Sequence, residues 1–247
     1  MHNSTDKRKI ELIWIFAMIA FAIVSAAIVS SAPSGPSITV ISNETKAASA
    51  VRFINTTGGS ITTIKLNATS QNYRWKAYVG NVSGTMVLDD ANDNTLFRWD
   101  LAAISGEVYA TRSSSPINWS GTNCSNSTHI SMEEYAMNHT SKDDNITKTF
   151  NSQTHSGFYV GVRQILASTC YSVHTYVNST AQTTRFEEVV LYDGTNETNG
   201  NIIYAAPLEQ DRYGFDNQTY DFQMIVPENG APGFSGSTAY YFYVELS

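Results

Sequence analysis

Asp89-Asp90-Ala91-Asn92-Asp93-Asn94 puts five oxygen-bearing side chains into six positions, with Asp90, Asn92 and Asn94 at the first three ligand places of a calcium loop. Thr95 stands where such a loop needs glycine and Leu101 where it needs the bidentate glutamate, which excludes an EF-hand. Two readings fit Asp89, Asp90, Asn92 and Asn94: an irregular inter-strand calcium site, or a plain polar turn. Calcium is the one cofactor these residues suggest. Cys124 and Cys170 are the only thiols. In an oxidising space they would form a disulfide closing a loop of about 45 residues. The other reading is two separate buried thiols.

Other chemistry is missing from the pattern. The histidines, His2, His129, His139, His155 and His174, show no His-x-x-x-His spacing, so a structural zinc site is not expected. Gly233-Phe234-Ser235-Gly236 misses the nucleophile-elbow spacing, and no phosphate-cradling glycine loop occurs. Glu187 and Glu188 fall on opposite faces of a strand and cannot serve one glycosidic bond. Glu133 and Glu134 read as solvated and capping residues. No catalytic residue is named, and a non-enzymatic chain is expected. Trp75, Tyr78, Trp99, Tyr109 and Trp119 could form an aromatic platform for a glycan ligand, or belong to the core.

Asn-x-Ser/Thr begins at Asn3, Asn43, Asn55, Asn67, Asn81, Asn118, Asn123, Asn126, Asn138, Asn145, Asn178, Asn196 and Asn217. That is 13 of 20 asparagines, where 54 Ser and Thr in 247 residues would give about 4 by chance. The excess points to a glycosylated surface protein, and because glycans need solvent, the twelve sites after Asn3 also mark expected exposed positions.

Glycosylation requires export, and the N-terminus supplies a means. Residues 12–29 are apolar except for Ser25, with Lys7-Arg8-Lys9 before them and no further Lys or Arg until Lys46. An 18-residue helix is about 27 Å long, enough to reach across a hydrocarbon core, with the basic flank left inside. The segment is read either as a signal peptide cut after Ser25 and Ala27 or as a retained membrane anchor. The net charge of −7, without a basic cluster beyond residues 7–9, argues against nucleic acid as a partner.

The elements that must hold these residues are β-strands. Alternating or continuous apolar patterns fall at 37–41, 51–54, 61–66, 73–79, 85–88, 95–99, 106–110, 157–166, 171–177, 186–192, 202–205, 220–225 and 239–246. Gly58-Gly59, Asp193-Gly194, Asn199-Gly200 and Asn229-Gly230 supply turns. The fold class expected is all-β, a β-sandwich or jelly roll, preceded by one hydrophobic helix. Its parts are a signal or anchor at 1–32, a linker at 33–36 and an exterior domain at 37–247 with a glycosylated insertion at about 112–153. In that insertion Ser131 and Glu134 fit a capping box for a helix from 132 to about 138. The last strand is apolar on both faces, as for a central strand or one covered on both sides.

Asn55-Thr-Thr-Gly-Gly-Ser-Ile-Thr-Thr, Arg74-Trp-Lys-Ala-Tyr-Val-Gly-Asn-Val-Ser-Gly-Thr, Leu88-Asp-Asp, Trp99-Asp and Gly106-Glu-Val-Tyr-Ala-Thr-Arg together resemble uncharacterised exported cell-surface proteins of archaea, of the surface-layer and pilin-like kind. The resemblance covers residues 50–124 best and implies a single-span or signal-bearing N-terminus with an all-β exterior domain. It transfers no catalytic residue. The expected function is a structural or interaction glycoprotein of the cell surface, self-associating by strand addition through Ser37-Ile-Thr-Val-Ile. A carbohydrate- or cell-binding module is the second reading, and a secreted hydrolase with a dispersed site the third.

Overall fold

In chain order the strands are β1 (Trp75–Gly80), β2 (Thr85–Asp89), β3 (Thr95–Asp100), β4 (Gly106–Thr111) and β5 (Asn123–Cys124). Two helices follow, α1 (Ser127–Ala136) and α2 (Ile146–Thr149). Then come β6 (Phe158–Val160), β7 (Arg163–Ile165), β8 (Ser172–His174), β9 (Glu187–Tyr192), β10 (Ile202–Pro207), β11 (Arg212–Tyr213), β12 (Thr219–Tyr220), β13 (Phe222–Pro227) and β14 (Tyr241–Leu246). This computed structural model describes residues 32–247 except Ala102, Ser115, Ser141 and Lys142. The apolar run at 12–29 and Asn3 therefore lie outside the described residues. Among the described residues no helix is long and apolar enough to cross a membrane.

The chain is mostly β, with several antiparallel sheets. The largest runs β14-β4-β10-β9, and β9 meets both β5 and β8 along its far edge. Alternation within its central strands sends side chains to two separate cores. Val108, Ala110, Val190, Tyr192, Ile202, Tyr204 and Ala206 face one way and pack with Met224 and Val226 of β13 and with Ile130, Ile146 and Phe150 of the helical region. Tyr109, Val189, Leu191, Ile203 and Ala205 face the other way, against Phe158, Val160 and Ile165 of the β6–β7 hairpin. Strands covered on both faces need apolar residues at every position, which is why β9 and β10 read Val-Val-Leu-Tyr and Ile-Ile-Tyr-Ala-Ala. Each fully buried Leu or Ile here contributes roughly 1.5–3 kcal/mol.

Several elements differ from the pattern-based expectation. The segments at 37–41, 51–54 and 61–66 form no ladder, and between residues 35 and 72 the described backbone is turn or irregular. Apolar alternation is a propensity to pair and becomes a strand only when a neighbour supplies the bonds. The run at 157–166 breaks into β6 and β7 because Gly161 takes a positive φ of 57° in the two-residue turn, a conformation that glycine adopts without strain. β14 is an edge strand that packs against both cores, Phe242 and Val244 against one and Tyr243 against the other. Among the described residues its outer edge meets Ser34, which exchanges both main-chain bonds with Val244 at 3.0 and 2.8 Å. Pro33 and Pro36 lack N–H groups and bracket that contact, which limits how far pairing can extend.

The helix begins five residues earlier than expected, at Ser127. Asn126 is the N-cap, accepting the His129 amide at 2.9 Å, while His129 Nδ1 accepts the Asn126 amide at 3.3 Å. Glu133 and Glu134, expected in solvent, are buried: Arg112 grips Glu133, with its Nε at 2.8 Å, and Glu134 accepts the Thr147 amide at 2.7 Å. The Ser131 pattern failed because Asn126 offers the same capping chemistry one turn earlier, where the helix already has a core to cover. Replacing Asn126 by Ala is expected to cost about 1 kcal/mol in chemical denaturation, while Ser131→Ala changes stability by no more than about 0.5 kcal/mol. Equal costs would restore Ser131 as the cap.

Candidate functional site

Cys124 and Cys170 form a disulfide with Cα atoms 4.9 Å apart. β5 pairs with Leu191 and Tyr192 at one end of β9, and β8 pairs with Glu187, Glu188 and Val189 at the other. Between them Val190 binds both neighbours: its carbonyl accepts the Ser125 amide at 3.1 Å and its amide donates to Tyr171 at 2.9 Å. The bridge thus joins two short strands end to end into one covering for the β9 edge. His155 braces the same joint. Its Nε2 accepts the amides of Thr169 at 3.1 Å and Cys170 at 2.9 Å, so Nδ1 carries the proton and donates to the Ser156 carbonyl at 2.7 Å.

Of the twelve sequon asparagines among the described residues, Asn43, Asn55, Asn67, Asn81, Asn118, Asn123, Asn126, Asn138, Asn178, Asn196 and Asn217 are exposed and Asn145 is half-buried. Several also shape the backbone. Asn118, Asn126 and Asn145 cap helical turns with the side-chain oxygen, and Asn196 Oδ1 accepts the amides of Thr198 and Asn199. Such use of the oxygen leaves the amide nitrogen, the atom that carries a glycan, free of that bond. Asn138 differs, because its Nδ2 donates to Asn229 at 3.0 Å.

Asp90, Asn92 and Asn94 close the β2–β3 hairpin. One Asp90 oxygen accepts the amides of Asn92 and Asn94 at 2.8 and 2.9 Å, and the Asn94 side chain bonds to both oxygens. The Asn94 side chain, with the amides of Asn94 and Asn92, holds the Asp90 carboxyl below its ordinary range. Asp89 ends β2 at an irregularity in its register with β3. These bonds satisfy the turn from within. Among the described residues no group of three or more His, Cys, Asp or Glu could hold a metal ion.

The aromatic residues do not share one surface. Trp75 packs edge-on to His139 and Tyr78 edge-on to Phe242 on one side of the large sheet. Tyr109 and Trp119 pack together on the other side, at 5.2 Å between centroids. Trp99 lies half-exposed on β3 against Phe97.

Two features were missed from sequence. The first is a carboxylate pair: antiparallel register sets Glu107 of β4 directly opposite Glu245 of β14. Both are buried, at 7% and 2% exposure. Glu245 accepts the Gly161 amide at 2.9 Å and the Tyr109 hydroxyl at 3.2 Å. Burial first, and then the facing Glu245 charge, pushes the Glu107 carboxyl up to about 8. A proton-bearing acid beside a carboxylate is what acid–base chemistry requires. Here the pair is buried, with Gly161 of the β6–β7 turn bound to Glu245, so its ionisation bears on stability. Glu188, fully buried on β9, accepts the Ile225 amide at 2.8 Å, and burial raises its carboxyl well above the ordinary value. A lone Glu in each apolar strand was the available signal, but partnership depends on register.

The second is an exposed apolar face. The β2–β3 register sets Met86 against Trp99 and Leu88 against Phe97, all on one side of the hairpin. Every residue of both strands is exposed. Comparison with protein-family models, curated proteins and solved structures finds no match to this chain.

Proposed function

We propose that this chain is a structural or interaction glycoprotein of the cell surface, with an all-β sandwich exterior domain behind a signal or membrane anchor at its N-terminus. The observation that carries the reading is the coincidence of sequon excess with exposure. Sequons arise at three times the rate composition predicts, and eleven of the twelve described sequon asparagines are exposed. The Cys124–Cys170 bridge supports the same compartment, because disulfides persist where the surroundings oxidise. The lone basic cluster ahead of residues 12–29 orients the rest of the chain outward.

The intact mass of the native protein from a membrane fraction tests the reading. Several glycan increments are expected, on a chain beginning near Met1 if the segment is an anchor or near Ile28 if it is a signal. A mass without sugar would overturn the surface-glycoprotein reading.

A further inference from the structure

Among the described residues, the β2–β3 hairpin and the segment at 37–66 have no strand partner beyond the hairpin's own pairing. The hairpin presents Met86, Leu88, Phe97 and Trp99 on one face, at 37%, 50%, 55% and 48% exposure. It forms a two-stranded sheet of its own, so its long edges are also open. The segment carries exposed β-forming residues that join no ladder: Ile61 is 100% exposed, Leu66 81% and Ile64 52%. An open edge needs a strand, and these unladdered segments need an edge.

Charge selects among the ways of joining them. Residues 85–100 carry Asp89, Asp90, Asp93 and Asp100 against Arg98 alone, a net of −3, and Arg98 is bound to Asp100 at 3.0 Å. Two hairpins packed face to face would place like charges together. Residues 37–72 carry Lys46, Arg52 and Lys65 against Glu44, a net of +2. The complementary match is hairpin to segment. The stretch at 61–66 has the length of β3 and bears Lys65, so it is the best-fitted strand.

We infer that residues 61–66 of one copy of this chain add as a strand to an open edge of the β2–β3 hairpin of a second copy, extending the sheet and its apolar face. The inference rests on the surface-protein reading above and supplies its mode of assembly. Because donor and acceptor are different surfaces, a pair of copies keeps one donor and one acceptor free. Such a head-to-tail contact propagates into a ring or an open filament.

Hydrogen exchange and sedimentation of the full chain in mild detergent, across a range of concentration, test this together. Amides at 61–66 and 85–100 are expected to gain protection as assembly appears, and both changes should weaken as salt rises to about 0.5 M. Ile64→Pro removes a ladder donor from a position that makes no ladder in the single chain. It should weaken assembly about tenfold or more without changing the denaturation midpoint. Lys65→Glu should weaken assembly and reduce its salt dependence. Assembly that leaves both segments exchanging freely overturns the inference, as does a chain that stays monomeric. Protection of both segments in the dilute monomer also overturns it, since the strand would then be added within one chain. Failure of the surface reading is seen separately, as a native mass without sugar, and leaves the exchange result intact.

Discussion

Raising the pH from about 5 to about 9 is expected to destabilise the protein by several kcal/mol, through Glu107 together with the buried Glu188. The folded Glu107 carboxyl titrates at about 8 against an ordinary value of 4.5. The folded state therefore holds a proton that the unfolded chain releases. Below about pH 4.5 both states are protonated and no penalty exists. As pH rises through the window the folded chain must either keep a proton that solvent favours removing or place a charge against Glu245. Above about 8 the penalty is complete. At ~1.4 kcal/mol per pH unit the window allows up to ~5 kcal/mol. Glu107→Gln keeps a neutral side chain able to donate and accept, so its loss from about pH 5 to about pH 9 should be clearly smaller than that of the wild type, the remainder belonging to Glu188. Denaturation midpoints of the two proteins at both pH values decide the matter. Parallel pH profiles would remove Glu107 as a source. Asp90 and Asp143, whose carboxyls are held low but lie in full solvent, do not reproduce this alkaline loss.

Reduction of Cys124–Cys170 should cost about 4 kcal/mol, because the bridge closes a loop of 46 residues in the unfolded chain. The position of the bridge adds a local signature to this global effect. β5 contributes only two residues and β8 three, too few to hold an edge separately. With the bridge opened, the Ser125 and Val190 amides should lose protection before the centre of β10 does. The paired Cys124→Ser, Cys170→Ser variant, compared with wild type by denaturant titration and hydrogen exchange, measures both. A loss under about 1 kcal/mol with uniform exchange would mean that the two strands cover β9 without the splice.

Much of the architecture was legible before any coordinates, for a local reason. Strand propensity, turn glycines and cysteine count act over a few residues or depend on composition. They identified β4, β9, β10 and β14 as strands, and offered the turn at residues 89–94 and the Cys124–Cys170 bridge each as one of two readings. The sequons are equally local, and the exposure expected of them appears at eleven of twelve described sites. Where two local signals competed, sequence was less decisive. Asn126 and Ser131 both satisfy capping chemistry, and only the packing of Ile130 and the Arg112–Glu133 contact select the earlier start.

Tertiary structure alone decided what depends on register and on partners distant in sequence. Glu107 and Glu245 are separated by most of the folded chain, and a one-residue slip would have turned one of them to the other face. The same applies to Met86, Leu88, Phe97 and Trp99, whose shared face exists only because β2 and β3 align as they do. The segments at 37–41, 51–54 and 61–66 carry as strong a pattern as several real strands, yet no edge within the described chain receives them. Pattern states a readiness to pair, whereas pairing requires a second strand at hydrogen-bonding distance, and that condition is set by the whole fold.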